Sequence, residues 1–495
     1  MQKKQTILVV ASLLVVVLSV TLAYFTAQII GKGKDVSVSS ADLKIIFTDS
    51  DGAISGSNIE PGWSDTKTFN IENKSNETYK YNIVIQDLVN TFVTKGYLQY
   101  KITSTDGGYN MAEFKDVPKS EVATDTILAY SVSIPVGVTQ SYTVEFKYAN
   151  DESVDQSNDM GKKLSGTLFI TEGTEDPNKT LYNQLLVDKS TKLTRTDFSK
   201  VLTDNNTNTL YTGVEDSKTV YYFAGNATDN WVKFGKNASN QDLYWRIIRT
   251  NSDGSVRLLY HGTSTTATDA YIGTSAFNSS YDNIAYVSYM YGSLGSISSA
   301  RENTNNSTIK TTIDNWYISN LEAKGYTKYL STTAVYCNDR SISSDSINFG
   351  AFTRLGTNKT PSYDCAATED KFTVDSTVGN GKLTYPIALM TADEVSFAGG
   401  LYGANTPTWY YYNSVNGSST GSKFWWLLSP LDSSTSGSSM FIVRGSSNPG
   451  RLNYNYVYSN NGVRPALSLK SCVKYSSGDG SASDPYTIKE TETGC

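Results

Sequence analysis

The first third of the chain alternates apolar and polar residues. Between residues 36 and 171, seven short segments keep this two-residue period and are separated by polar turns. In SYTVEFKY, for example, Tyr142, Val144 and Phe146 fall on one side of a strand, and the polar residues between them fall on the other. Regularly spaced short strands of this kind predict an all-β sandwich over residues 36–171.

The pattern changes after this region. The stretch EGTEDPNKT is short and polar, contains Pro177, and predicts the start of a linker over residues 172–208. Within it, Leu181, Leu185 and Leu186 are spaced as on one short amphipathic helix. The spacing leaves open whether this helix packs on the following domain or acts as a spacer.

Residues 209–470 mix strand and helix patterns. LYWRIIRTNSDGSVRLLYHG predicts a hairpin that turns at NSDGS and buries Trp245 on one side. TTIDNWYISNLEAKG has apolar residues at helical spacing and ends on a glycine, and LMTADEVSFAGG places Thr391 and Glu394 as a capping box. The mixture predicts a second domain of the α+β class, with two helices among many short strands.

The N-terminus has the features of an export signal. Lys3 and Lys4 precede an uncharged, mostly apolar run that extends to Gly31. Residues 1–30 are therefore predicted to be a signal peptide or a membrane anchor. The sequence TLA at residues 21–23 fits the small-x-small pattern that signal peptidase recognises, whereas the length of the run also permits an uncleaved membrane span.

Four cysteines fit an exported chain. Cys337 and Cys365 flank a Ser/Asn-rich stretch, and Cys472 and Cys495 bracket the C-terminal tail, residues 471–495. Three pairings are possible, and the local one, 337 with 365 and 472 with 495, is favoured over free thiols. A metal site is disfavoured, since the chain has no C-x-x-C pair and its single histidine has no ligand partner nearby in the sequence.

The composition excludes some functions. Charged residues make up 18 % of the chain, the formal net charge is −6, and 35 residues are tyrosine. The lysines are scattered among acidic residues, so no nucleic acid partner is expected. No Ser/His/Asp set, metal cluster or glycine-rich phosphate loop is apparent in the sequence, so we expect no enzyme activity and no cofactor.

Residues 15–171 resemble a known family. The segments TLAYFT, SADLKI, IEPGWSDTKTFNIENKSNETYKYNI and IPVGVTQSYTVEFKY are similar to those of the TasA/camelysin family of exported Gram-positive proteins, which carry SipW-type signal peptides. The resemblance implies a jelly-roll-like sandwich that is processed by a dedicated signal peptidase. It also implies self-association through the sandwich as an expectation, since some members form extracellular fibres by strand donation.

The second domain also resembles known proteins. WRIIR, LMTADEV, FWWLLSP and NGVRPALSL are similar to a domain family of unassigned function in surface proteins of Gram-positive gut bacteria, with the signature WWLxSP followed by GVRPAL. More distantly, the set resembles the C-type-lectin-like fold that formylglycine-generating enzymes share. This resemblance implies a lectin-like α+β domain. The copper-binding cysteine pair of those enzymes has no counterpart between Cys365 and Cys472, so oxidase activity is not expected.

In the lectin-like fold, the segment between the two signature motifs lies on the ligand-facing surface. Here that segment is residues 431–461, which are rich in tyrosine, asparagine, serine and arginine. The candidate ligand-binding residues within it are Tyr454, Tyr456, Tyr458, Arg451, Arg444, Asn453 and Asn455. The alternative is that the three tyrosines, which share one face of a strand, form a cross-strand packing ladder.

The residues of the motifs themselves are assigned to structure. Trp425 and Trp426 are expected on opposite sides of a strand, so that one fills the core and the other supports a surface loop. Arg464 is expected to be a buried ion-pair anchor, with Asp393 or Glu394 as its partner.

Together these patterns favour a non-enzymatic binding protein on the extracellular face of a cell envelope, membrane-anchored or secreted and of Gram-positive type. Its lectin-like domain is expected to bind a carbohydrate or protein ligand. One alternative is a structural subunit of an extracellular matrix or fibre. A minor alternative is an enzyme on the scaffold of the formylglycine-generating enzymes.

Overall fold

A computed structural model shows a chain that is mostly β. The chain divides into two compact units, Met1–Pro177 and Asn178–Cys495. The export segment predicted over residues 1–30 lies outside the described residues, and no described helix is long and apolar enough to cross a membrane. The structure describes residues 36–37, 43–47, 52–55, 59–267, 270–343, 348–407, 409–410, 424–434, 437–445 and 448–495.

Two antiparallel sheets make up the described part of the first unit. Their strands are β1 (Val36–Ser37), β2 (Leu43–Phe47), β3 (Ala53–Ser55), β4 (Ser64–Asn73), β5 (Tyr79–Asn90), β6 (Leu98–Ser104), β7 (Lys115–Asp116), β8 (Ser120–Ile134), β9 (Thr139–Tyr148) and β10 (Leu164–Glu172). The larger sheet has the order β1-β2-β4-β9-β6-β7, and the smaller has the order β3-β10-β5-β8. A 3-10 turn at Ser157–Asp159 precedes β10.

The two sheets of the first unit share one apolar core. Tyr142, Val144 and Phe146 on β9 are buried in it, as their two-residue period predicted. Ile83 on β5 and Ile170 on β10 contribute from the smaller sheet. An all-β fold in this region is therefore confirmed, whereas its jelly-roll connectivity stays a prediction.

The second unit contains more and shorter strands. They are β11 (Thr191–Thr194), β12 (Thr209–Glu215), β13 (Lys218–Tyr222), β14 (Trp231–Lys236), β15 (Asp242–Thr250), β16 (Val256–Gly262), β17 (Thr274–Ser275), β18 (Met290–Tyr291), β19 (Asn305–Asn306), β20 (Tyr336–Cys337), β21 (Lys371–Phe372), β22 (Ile387–Leu389), β23 (Trp425–Ser434), β24 (Gly437–Val443), β25 (Leu452–Tyr456), β26 (Asn461–Gly462), β27 (Pro465–Leu469), β28 (Tyr475–Ser477) and β29 (Tyr486–Ile488).

Helices of the second unit are short. The α-helices are α1 (Leu181–Asp188), α2 (Ile297–Ala300), α3 (Thr308–Tyr317), α4 (Gly350–Phe352) and α5 (Ala392–Phe397). The π-helical turns Ile318–Glu322 and Thr353–Asn358 extend α3 and α4. The 3-10 turns are Ile284–Val287, Tyr326–Tyr329 and Thr368–Asp370.

A ten-stranded sheet and a five-stranded sheet organise the second unit. In the larger sheet, β11-β12-β13-β15-β14-β29-β28 form one path, and β16 leads from β15 through β27 to β22. The smaller sheet has the order β17-β26-β23-β24-β25, and β18–β19 and β20–β21 form two further pairs. Helices and strands thus occur together in this unit, whereas its lectin-like character stays a prediction.

β15 and β16 form the predicted hairpin, but β15 is buried on both faces. Trp245 and Ile247 lie on one face, and Arg246 on the other face is also buried. The charged side chain is accommodated because its Nε donates to Asn230 Oδ1 at 2.7 Å and its guanidinium lies over the Trp231 ring. The expectation of a single buried face is wrong here, since an arginine with these partners can be buried.

The short helix α1 packs on the second unit. The Thr180 side chain caps its first turn, and Leu181 and Leu185 are buried in the core of the unit. Just after the helix, the buried ammonium of Lys189 forms an ion pair with Asp229 at 2.9 Å. Of the two alternatives that the sequence left open, the helix therefore adopts the packed one.

Two disulfides join Cys337 to Cys365 and Cys472 to Cys495. The local pairing favoured by the sequence is confirmed. The Tyr329 hydroxyl supports the second disulfide, because it both donates to and accepts from the backbone of the tail.

We expect Leu185→Ala to lower the free energy of unfolding of the second unit by about 2–4 kcal/mol, since it removes a buried side chain and leaves a cavity. Val187→Ala is the control on the same helix, because Val187 is 71 % exposed. Urea unfolding followed by tryptophan fluorescence measures the difference, since only Trp63 of the seven tryptophans lies in the first unit. Equal stabilities of the two variants would contradict the packing of α1.

Candidate functional site

The candidate residues of the sequence lie on β25 and in the turns beside it. β25 is the last strand of the five-stranded sheet and pairs with β24. In this register Tyr454 lies opposite Phe441, and Asn453 lies opposite Ile442. Because side chains alternate along a strand, Tyr454 and Tyr456 project from one face and the asparagines from the other.

Three tyrosines from two parts of the chain meet beside β25. The rings of Tyr456 and Tyr458 are stacked, with centroids 5.7 Å apart and an interplanar angle of 10°. Tyr281 adds a third ring, whose centroid lies 4.9 Å from that of Tyr458. We call these three residues the tyrosine cluster. Tyr281, Tyr456 and Tyr458 are 45 %, 44 % and 49 % exposed, so a large part of each ring faces solvent.

This cluster differs from the strand face that the sequence suggested. β25 ends at Tyr456, and Val457 after it is buried, so Tyr458 lies in a turn and joins its neighbour by stacking. Gly437 makes room for the Tyr456 ring, because a Cβ at that position would lie 2.9 Å from ring carbon Cε1. Tyr454, 39 % exposed, stays on the strand.

The outer edge of β25 is covered at its first residue, where the Gly403 N–H donates to the Leu452 carbonyl at 3.0 Å, and the asparagines cap the N–H groups further along. Odd-numbered residues of this segment bond to β24 through their backbones, so the N–H groups of the tyrosines point away from the sheet. The N–H of Tyr454 donates to Asn453 Oδ1 at 2.8 Å, and that of Tyr456 donates to Asn455 Oδ1 at 3.0 Å. An unpaired strand edge invites pairing with other chains, so the alternating Asn-Tyr sequence blunts this edge.

Asn455 and the two candidate arginines lie at opposite ends of the strand. Asn455 is tied to the start of β26, where its Nδ2 donates to Asn461 Oδ1 at 3.2 Å. At the other end, the Arg444 N–H donates to the Arg451 carbonyl at 2.9 Å. The candidate residues therefore form two groups, one around the tyrosine cluster and one around the arginines, instead of a single face.

Both tryptophans of the WWL motif are buried. Trp426 Nε1–H donates to the Ser275 carbonyl at 2.8 Å, and its ring meets Phe277 edge-on. Trp425 packs under the guanidinium of Arg464, which lies 4.8 Å from the ring centre. Both tryptophans are interior because the five-stranded sheet is covered on both faces at this point, and the expectation that one of them supports a surface loop stays a prediction.

Arg464 is buried, but the carboxylates expected as its partners bind other arginines. Its guanidinium donates to the Tyr260 carbonyl, at 3.3 Å from Nε. Asp393 pairs with Arg354 at 3.0 Å, and Glu394 pairs with two arginines of the β15–β16 hairpin. The anchor role suggested for Arg464 therefore uses a backbone oxygen and an aromatic ring among its contacts.

A buried carboxylate joins α5 to the β15–β16 hairpin. Glu394 Oε1 accepts from Arg249 at 2.9 Å and from Arg257 at 2.7 Å, and Oε2 accepts from the Thr391 N–H in the predicted capping box. Arg249 also pairs with Glu215 at 2.7 Å. Burial alone would raise the pKa of Glu394, but the two arginines outweigh it and lower the pKa below 4.5. The capping box was visible in the sequence, whereas the arginines reach it only through the tertiary fold.

His261 and Asp432 lie on different strands, β16 and β23. The His261 ring is buried near the end of β16 and packs edge-on against Trp231, with centroids 4.4 Å apart. Asp432 lies on β23, and burial raises its pKa above its usual value. Within the described residues, no three His, Cys, Asp or Glu side chains are grouped closely enough to hold a metal ion.

Comparisons with known proteins do not identify the chain. No family model, no curated protein and no solved structure matches it. The family resemblances drawn from the sequence motifs therefore stay predictions, and a functional proposal must rest on the geometry around β25.

We expect Asn453→Ala/Asn455→Ala to promote self-association, because the change uncaps two outward N–H groups at the edge of β25. Sedimentation velocity should show dimers or larger species that increase with protein concentration. Asn315→Ala, at an exposed position of α3, is the control. A double variant that sediments like the wild type at every concentration would show that the caps do not protect the edge.

Glu394→Gln should lower the free energy of unfolding by about 3–5 kcal/mol at neutral pH, since it leaves two buried guanidinium groups without their counter-charge. Glutamine keeps the shape, and its one oxygen can still accept the Thr391 N–H of the capping box, but its amide N–H groups then face the two guanidinium groups, so the change removes both their counter-charge and their acceptor. Glu322→Gln, at an exposed position, is the control.

The same network predicts a dependence on pH. Because the pKa of Glu394 is lowered in the folded state, its stabilisation is complete above its usual value of 4.5 and is lost as the pH falls through the folded pKa. Urea midpoints measured from neutral to acidic pH should therefore fall more steeply for the wild type than for Glu394→Gln. Parallel pH profiles would contradict this role of the carboxylate.

Proposed function

We propose that this chain is a non-enzymatic extracellular binding protein that presents the tyrosine cluster of its second unit to a carbohydrate or protein ligand. The two disulfides are consistent with an extracellular location. Export through residues 1–30 to a bacterial cell surface, or into the medium, belongs to the same proposal.

The exposed but ordered rings of the tyrosine cluster carry this proposal. Tyr458 lies between Tyr281 and Tyr456 and contacts both rings, so the cluster holds its shape through its own packing. A tyrosine offers a large contact area with few rotatable bonds, so little side-chain conformational entropy is lost when a ligand binds it. The packing-ladder alternative accounts for the contacts among the rings but not for their exposure.

The chemistry of tyrosine favours ligands with mixed surfaces. Each ring combines an apolar face with a hydroxyl group, so it can contact an apolar patch and form a hydrogen bond at its edge. Pyranose sugars offer such a combination of C–H faces and hydroxyl groups. Protein surfaces offer it as well, and the binding assay distinguishes the two.

Capped strand edges support side-chain recognition over assembly by strand addition. The edge of β25 is capped by its own asparagines. In the first unit, β8 is also an edge strand. In its exposed half, side chains again bond to a backbone group, because the hydroxyls of Ser120 and Thr124 both donate to the Val122 carbonyl. Edges of this kind are poor templates for another strand.

Two buried carboxylates of the second unit, Asp339 and Asp370, serve as counter-charges for arginines and support a non-enzymatic role for these two groups. Asp370 pairs with Arg301 and Arg340, and Asp339 pairs with Arg354. Burial would raise the pKa of Asp339, but Arg354 outweighs it and the pKa is lowered. A general acid or base needs a pKa near the working pH, whereas this carboxylate is held in its charged form by an arginine.

The test compares the wild type with Tyr281→Ala/Tyr456→Ala/Tyr458→Ala on a glycan array and on bacterial surfaces, using the full chain throughout. We expect the triple variant to lose at least about tenfold in affinity, since aromatic side chains that become buried in the complex often contribute most of the binding free energy. The corresponding triple phenylalanine variant keeps the rings and should retain more of the affinity than the alanine variant.

Controls separate recognition from folding. Val187→Ala/Val214→Ala removes exposed apolar surface elsewhere in the second unit, from residues that are 71 % and 58 % exposed, and should bind like the wild type. Thermal unfolding checks that each variant is folded. A folded triple alanine variant with full affinity would overturn the proposal, and a wild type that binds neither glycans nor bacterial surfaces would favour the structural alternative.

A further inference from the structure

Two arginines face each other at the end of the β24–β25 hairpin. Val443 and Leu452 form the last pair of the ladder, and Arg444 and Arg451 occupy the next position, joined by a backbone hydrogen bond. Residues directly opposite on neighbouring strands have Cβ atoms about 4.5–5.5 Å apart. Like-charged side chains directly opposite each other on neighbouring strands are destabilising, so an anion that contacts both would relieve their repulsion.

Local contacts hold both side chains in place. Arg451 Nε donates to Asn405 Oδ1 at 3.0 Å, and the Arg444 guanidinium lies 5.1 Å from the centre of the Phe424 ring. Gly450, directly before Arg451, is also constrained. It adopts a φ of +66°, and a Cβ at this position would collide with a neighbouring backbone carbonyl.

No carboxylate balances this pair within the part of the chain that the structure describes. Elsewhere in the second unit, Arg249, Arg257 and Arg354 have carboxylate partners, whereas the buried Arg246 and Arg464 donate to amide or backbone oxygens. Arg444 and Arg451 have none among the described residues, and the buried Nε of Arg444 has no hydrogen-bond partner there. In a chain with a formal net charge of −6, this is a local concentration of unbalanced positive charge.

Asn453 adds a third donor beside the pair. It lies two residues from Arg451 and therefore on the same face of β25. Its Oδ1 accepts the N–H of Tyr454, so its Nδ2 group is the part left to contact a ligand. We call Arg444, Arg451 and Asn453 the donor cluster, because they present mainly N–H donors.

We propose that the donor cluster binds an oxyanion, namely a carboxylate, sulfate or phosphate group carried by an extracellular polysaccharide. A guanidinium group presents a planar fork of N–H donors that matches the oxygens of these anions. A solvent-exposed ion pair contributes little free energy, so one isolated anion binds weakly. A polymer that repeats the anion offers the donor cluster many equivalent positions close to one another, so its apparent affinity for each chain exceeds that of a free anion.

The donor cluster is separate from the tyrosine cluster. Arg451 and Asn453 project from the face of β25 opposite to Tyr454 and Tyr456. A substitution in one group therefore leaves the side chains of the other in place. The two proposals can fail independently, because the donor cluster should respond to the charge of a polymer and the tyrosine cluster should not.

The test measures binding of the full chain to carboxymethyl dextran, dextran sulfate and dextran phosphate, with neutral dextran as the blank. We expect the wild type to bind at least one anionic dextran, and to bind it more weakly as the salt concentration rises. Arg444→Gln/Arg451→Gln should weaken this binding by at least about tenfold. Arg444→Lys/Arg451→Lys keeps the charge but loses the planar fork, so its affinity should be intermediate.

Lys200→Gln/Lys382→Gln is the matched control, because it removes the same formal charge from exposed positions of the second unit. It should bind like the wild type, as should the triple tyrosine variant. Thermal unfolding checks that every protein is folded. If Arg444→Gln/Arg451→Gln is unfolded, Arg444→Lys/Arg451→Lys supplies the comparison with the wild type. The proposal fails if the wild type binds no anionic dextran, if a folded glutamine variant binds normally, or if the Lys200/Lys382 control loses as much affinity.

Discussion

Glu394 lies fully buried between two guanidinium groups, and a carboxylate in that position must keep both of its counter-charges. Arg249 and Arg257 come from the two strands of one hairpin, so the ion cluster fixes α5 against the ten-stranded sheet. At the start of α5, the Ala392 N–H donates to Ser429 Oγ on β23. One charge cluster thus connects the sheet that forms the body of the unit with the sheet that carries β25.

The alternating sequence of β25 solves a problem that every accessible edge strand poses. A strand that offers side chains to a ligand also offers its backbone to other strands. Here Asn453 and Asn455 occupy the outward N–H groups, while the intervening tyrosines keep their rings free. The asparagines therefore satisfy backbone N–H groups at the edge, and the tyrosines present their rings to solvent.

Local patterns predicted the parts of the fold that depend on neighbours in the sequence. The two-residue period around Val144 predicted a buried strand face, the capping box at Thr391 predicted a helix start, and the cysteine spacing favoured the observed disulfides. The candidate site was only partly predictable. Nothing in the sequence near Tyr458 indicates that Tyr281 joins it, and the regular alternation hid the turn that follows Tyr456. Ion pairs and burial on a second face were missed because they arise from contacts between distant segments.

The order of the ten-stranded sheet has a consequence for how the second unit completes its fold. β29 lies between β14 and β28, and Tyr486 pairs in parallel with Val232. β14 therefore cannot gain its second neighbour until residue 486 has been synthesised. Pairing between segments so far apart in the sequence is slow. The ten-stranded sheet therefore stays incomplete until β29 inserts between β14 and β28, which makes that insertion a late step in the folding of the second unit.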